Sequence, residues 1–183
     1  RTHLIPKGNN TMKRKIITCI FIIAAFLLQS TIFGRLTFSG IRPNLLIAVT
    51  ASIGFMRGRK EGMGVGFICG LLVDIFWGGL IGFYALIYIV IGYMNGSFQR
   101  MFYEDDIKLP LAMIGISDLI YSMVVYVCLF MLKGEFEFIW FLEHVMLPEL
   151  VYTILVTLVL YQIILHINRK LEKEEQRSAS RFV

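Results

Sequence analysis

Six stretches of this chain, 16–33, 44–56, 62–77, 80–98, 110–132 and 148–168, are apolar almost throughout, and none contains a Lys or Arg. A helix needs about 20 apolar residues to cross the ~30 Å hydrocarbon layer of a bilayer. Inside that layer each backbone N–H and C=O must find its partner within the protein. The six runs therefore predict an all-α integral membrane protein with six transmembrane helices. Composition agrees: 57% of residues are hydrophobic and 17% charged, with mean hydropathy +0.71. Soluble domains hold about 45–50% apolar and about 25% charged residues. A chain of 183 residues has no core large enough to hide that excess, so lipid must be part of its solvent. A secreted disulfide scaffold, a disordered chain and a nucleic-acid reader are excluded. The net charge of +5 comes from the ends and some loops, so it reports orientation, not a polyanion partner.

The segment Met12-Lys13-Arg14-Lys15 looks like a natural start. Residues 1–11 are read as a non-native or upstream extension, 12–170 as the membrane domain and 171–183 as a charged cytoplasmic tail. No small-x-small site closely follows the first run, so it is read as a span and not as a cleaved signal peptide. The second run, 44–56, reaches only about 20 Å as a helix. A start at Ile41 lengthens it, because Pro43 is tolerated in a first turn. The second and third runs are expected to form a closely packed hairpin that longer helices shield from lipid. Orientation follows from Lys and Arg in short loops. With the N-terminus inside, the inner segments carry fifteen basic residues and the outer ones three: Arg35, Arg42 and Lys133. Both termini are then cytoplasmic, and Trp77 and Trp140 fall at the outer interface, where indole rings prefer to sit.

Gly54, Gly58, Gly62, Gly66 and Gly70 recur every fourth residue, and Asp74, Gly78 and Gly82 continue the spacing. Within a helix such positions form one slowly drifting stripe. Glycine there lets another backbone come close. The stripe marks tight helix packing, within the chain or with a partner helix or lipid. Gly64 lies off it.

Asp74 ends the stripe near the outer face, where a charged side chain costs about 3 kcal/mol on insertion scales unless partnered. By depth, Arg35, Arg42, Lys133 or Asn44 could serve, tying the third span to the 42–44 turn. Asp118 lies deeper, about 12 Å from the inner end of its span, with His166 and Asn95 nearest by depth. It is expected to be protonated and hydrogen-bonded, not a member of a proton relay. Glu149, after Pro148, most simply favours a helix N-terminus. The loop 133–147 is rich in aromatics (Phe136, Phe138, Trp140, Phe141) and reads as an interfacial segment or a docking surface. Cys19, Cys69 and Cys128 have no CxxC spacing and read as small buried hydrophobes. No Walker loop, HExxH, GxSxG or Rossmann fingerprint occurs, and His3, His144 and His166 are scattered. No catalytic, cofactor or metal residues are expected.

PNLL at 43–46, followed by GVGFICGLLVDIFWGGLIGFYAL at 64–86, resembles the MreD family of rod shape-determining proteins. The matching residues are Pro43, Gly66, Phe67, Gly70, Leu71, Asp74 and Gly82, and length, span number and basic termini fit over 12–170. The resemblance implies a non-enzymatic component of the bacterial cell-elongation machinery, which builds lateral peptidoglycan. It implies a single-span MreC partner, MreB filaments on the inner face, and a glycan polymerase with its transpeptidase. It also implies a fold similar to the substrate-binding subunits of energy-coupling-factor vitamin transporters, which is the rival function. The expected packing or partner-interface residues are Pro43, Asn44, Gly62, Gly66, Gly70, Asp74, Gly78 and Gly82, and the expected buried polar residues are Asn95, Asp118 and His166. The expected location is the bacterial cytoplasmic membrane.

Overall fold

The computed structural model describes residues 8–32, 43–101, 107–130 and 138–180. Among them the chain forms six principal helices and no strand. Helix α1 (Gly8–Leu27) widens into a π turn at Leu28–Ile32. Then come α2 (Leu45–Arg57), α3 (Arg59–Phe76), α4 (Phe83–Ser97) and α5 (Lys108–Val125, ending in a π turn at Tyr126–Phe130). A short helical stretch, Phe138–Phe141, leads through a π turn at Leu142–Met146 into α6 (Leu147–Ser180). Three helical stretches are long and apolar enough to cross a membrane: Met12–Thr31, Lys108–Leu129 and Phe138–Lys173. Leu45–Arg57 and Phe83–Ser97 are apolar but shorter.

Helix α2 is the axle. Every residue from Leu45 to Met56 is buried, and α1, α3, α4, α5 and α6 all touch it. A helix that is apolar on all sides has this fate. Helix α3 differs: Phe67 is 47% and Ile68 43% exposed. The closest partnership is between α3 and α4, not between α2 and α3 as a sealed hairpin. Large apolar side chains also stand out from α1 (Ile20, Ile23), α4 (Leu86, Val90) and α6 (Leu155, Val159). So broad an apolar surface demands an apolar solvent.

Local chemistry explains the junctions. Only Gly58 separates α2 from α3; its φ of +95° suits glycine, and its N–H donates to Gly54 O at 2.8 Å. Gly82 opens α4 with φ +101°. Pro43 lies outside α2, which starts at Leu45 with Asn44 as its cap, so the first-turn role expected for that proline is not found. Pro148 has no N–H for the preceding turn, and the chain widens to a π turn just before it. The helical path therefore continues through 138–146, where an interfacial loop was expected. Phe138, Phe141 and Met146 pack on Tyr126, while Trp140 stays 56% exposed. Glu149 consequently sits at no free helix start. Residues 133–137 lie outside the described ones. Of the cysteines, Cys69 is buried and Cys128 half-buried, but Cys19 is exposed on α1, contrary to expectation.

Candidate functional site: close-packed glycines and capped helix starts

The glycine stripe meets the chain's own helix α4. A Cβ on Gly66 would lie 2.3 Å from Tyr88 O, one on Gly70 2.4 Å from Ala85 Cα, and one on Gly62 2.5 Å from Gly92 O. Helix α4 answers with glycines of its own: a Cβ on Gly92 would lie 2.1 Å from Gly62 O, and one on Gly96 2.5 Å from Arg59 Cα. Gly92 and Gly96 were not singled out in the sequence, although their spacing of four was the available signal. Backbones this close leave a partner helix no room at Gly62, Gly66 and Gly70. Gly78 packs over the end of its own helix, 2.7 Å from Asp74 Cα by the same measure.

Asp74 is 2% exposed and accepts three backbone N–H groups at the start of α4. Its Oδ2 takes Gly82 N at 2.9 Å and Ala85 N at 3.0 Å, and its Oδ1 takes Tyr84 N at 2.9 Å. These are among the N–H groups that a helix start leaves unpaired, and a negative charge there also suits the helix dipole. The tie runs to the 82–85 turn and not to the expected 42–44 turn. Arg35, Arg42 and Lys133 lie outside the described residues.

The buried start of α2 is capped by other means. Asn44 N donates to Thr153 Oγ1 at 3.0 Å, and Leu46 N to Gln29 Oε1 at 3.2 Å. Asn44 Oδ1 faces Ile47 N at 3.5 Å and accepts from the Tyr88 hydroxyl at 2.9 Å. Helices α1, α4 and α6 are thus pinned to one helix end. Around it lies a polar cluster. Tyr121 reaches the Asn44 side chain, Thr153 reaches the Asp118 carboxyl, and Glu149 approaches Asp118. Asp118 is 1% exposed. Its surroundings are therefore Thr153 and Glu149, not the expected Asn95 and His166. Asn95 is buried but bonds to Ile91 O and Ser117 Oγ. His166 is exposed and belongs to no buried polar group, a correction with a simple cause: its position on α6 lies off the face that carries Thr153 and Thr157.

The opposite end of the bundle is basic. Arg57 closes α2, and its guanidinium spans three elements: Nε donates to Asn168 Oδ1 at 2.9 Å, Nη1 to Thr18 Oγ1 at 2.8 Å and to Glu61 Oε2 at 3.4 Å. Burial first, and Arg14 second, hold its pKa below the ordinary arginine value, with Glu61 acting the other way. Arg14, Lys15 and Lys60 line one cavity with Arg57, while Arg59 and Arg100 line another with Arg57 and Lys60.

A family model for the rod shape-determining protein MreD matches residues 10–171. No curated protein and no solved structure matches the chain.

Proposed function

The chain belongs to the MreD family of rod shape-determining proteins, and from that premise we propose that it is a non-enzymatic membrane scaffold of the cell-elongation complex. Membership carries a role in cell shape. The finer reading is ours: the bundle docks a single-span MreC-like partner and joins it to MreB filaments and the lateral-wall polymerase and transpeptidase. The observation that carries it is the use of the polar groups. Asp74, Asn44 and Thr153 cap helix starts of their own chain, which is the work of a rigid frame and not of turnover.

In this reading all six helices belong to one membrane unit over 12–170, with 171–183 as its charged tail and both termini cytoplasmic. Support comes from the basic residues. Those of α1, of the α2–α3 corner and of the α4–α5 connection gather at one end, as a positive-inside arrangement requires. The short α2 then begins inside the membrane, where its N–H groups need the caps they receive. The partner helix docks outside the α3–α4 contact, which is already full. Nothing found favours the vitamin-transporter alternative. Depletion should give round, swollen cells, and mild-detergent purification should recover the single-span partner. A growth defect rescued by a vitamin, with a tightly held small ligand in the purified protein, would overturn the reading.

A further inference from the structure

A cavity of about 320 Å³ opens between α1 and α3 at the basic end. Arg14, Lys15, Arg57 and Lys60 stand around it, with Glu61 as the only acid among its lining residues. Below the cations its wall is apolar, built by Ile22, Val65 and Ile68. The two helices that flank it touch only sparsely. Two details mark the cleft as built for a ligand. Arg57 has a side chain only 6% exposed and is held rigid by Thr18, Asn168 and Glu61, so a buried cation is presented in a fixed direction. Gly64, which lines the cleft, has nothing within 4 Å of where its Cβ would be. Every stripe glycine of α3 makes room for the chain's own backbone, whereas the space over Gly64 is open among the described residues.

We infer that this cleft binds an anionic phospholipid of the adjoining leaflet, its phosphate among Arg14, Lys15, Arg57 and Lys60 and an acyl chain along Gly64, Val65 and Ile68. Four cations facing one carboxylate leave an excess of positive charge that a phosphate offsets. The wall below the cations is apolar, as a lipid tail needs and a soluble anion does not. Basic clefts between membrane helices recognise lipid headgroups on the same grounds. The volume is at the low end for a bound small molecule, so it takes the headgroup and the upper part of one chain.

The test uses the full-length protein in a neutral detergent, with thermal unfolding followed as short-chain phosphatidylglycerol, short-chain phosphatidylcholine or inorganic phosphate is added. Phosphatidylglycerol should raise Tm saturably, by about 5–10 °C at high excess over Kd, and the other two should not. Gly64→Leu starts from a Cβ position with nothing within 4 Å, projects into the cleft, and should cut the shift to roughly a third or less. A Lys15→Gln, Lys60→Gln pair, both exposed residues, should weaken it in the same direction. An equal shift with phosphatidylcholine or with phosphate alone, or a phosphatidylglycerol shift that Gly64→Leu leaves intact, overturns the site. Neither rod morphology nor partner recovery enters this measurement, so it fails or succeeds apart from the scaffold reading.

Discussion

Where α2 and α4 begin, Asp74 accepts three N–H groups and Asn44 sits among Thr153, Tyr88 and Ile47. Where α2 ends and α3 begins, Arg57, Lys60, Arg14 and Lys15 face a cavity instead. The capped end turns its polar groups inward, onto backbone that lipid cannot satisfy. The basic end clamps Arg57, sets Arg14 beside Glu61, and leaves Lys15 and Lys60 exposed. The difference separates residues that hold the frame from residues that face the surroundings. Substitutions at the two ends should therefore move different observables.

The largest effect should come from a single methyl group. Gly66→Ala places a Cβ against the Tyr88 carbonyl and must push α4 off α3, which costs about 3 kcal/mol or more. Gly64→Ala, two residues along the same helix, meets nothing and should be neutral or stabilise by up to about 1 kcal/mol. Thermal unfolding in detergent reads both. Equal losses at the two positions would dissolve the distinction between packing glycines and the cleft glycine.

Asp74 comes next. Asp74→Ala leaves three N–H groups without their acceptor, that of Ala85 buried and those of Gly82 and Tyr84 part-buried, and should cost about 2–4 kcal/mol. Asp74→Asn retains one accepting oxygen and should lose about half as much. If the alanine variant unfolds at the wild-type temperature, the carboxylate is not holding the start of α4. Thr153→Val keeps the shape while removing the hydroxyl that Asn44 N uses, and should cost about 1–2 kcal/mol. A loss under about 0.5 kcal/mol would mean that water replaces the hydroxyl, and hence that the start of α2 is wet.

Much of this frame was legible in the letters, because apolar length and charge placement are one-dimensional signals. The runs at 44–56 and 80–98 overlap α2 and α4 closely. The glycine spacing pointed to close packing, and the structure supplies its partner, α4, with Gly92 and Gly96 opposite. What escaped was pairing. Asp74 was matched to side chains by depth, but its partners are backbone N–H groups, which every residue except proline carries and which no letter marks. Asp118 was matched to His166 by depth as well. Depth says nothing about which face of α6 looks inward, and Thr153 and Glu149 hold that place. Glu149 was read as a helix-start residue because Pro148 usually begins a helix. The π turn before it carries the helical path past the proline, a choice that packing of Phe138 and Phe141 on Tyr126 settles.

The smallest expected effect is the sharpest check on the contrast between the ends. Lys60 is exposed and lines both basic cavities. Its ammonium lies in a high-dielectric region, and removing one exposed charge there usually changes stability by no more than about 0.5 kcal/mol. Three more cations stand around the same cleft, so Lys60→Gln relieves some mutual repulsion while leaving the Arg57 clamp through Thr18 and Asn168 untouched. In lipid-free detergent its unfolding temperature should match wild type within about 1 °C, in contrast to Asp74→Ala. A drop comparable to the Asp74 variant would show that the basic end supports the frame as the capped end does, and the division between the two would no longer stand.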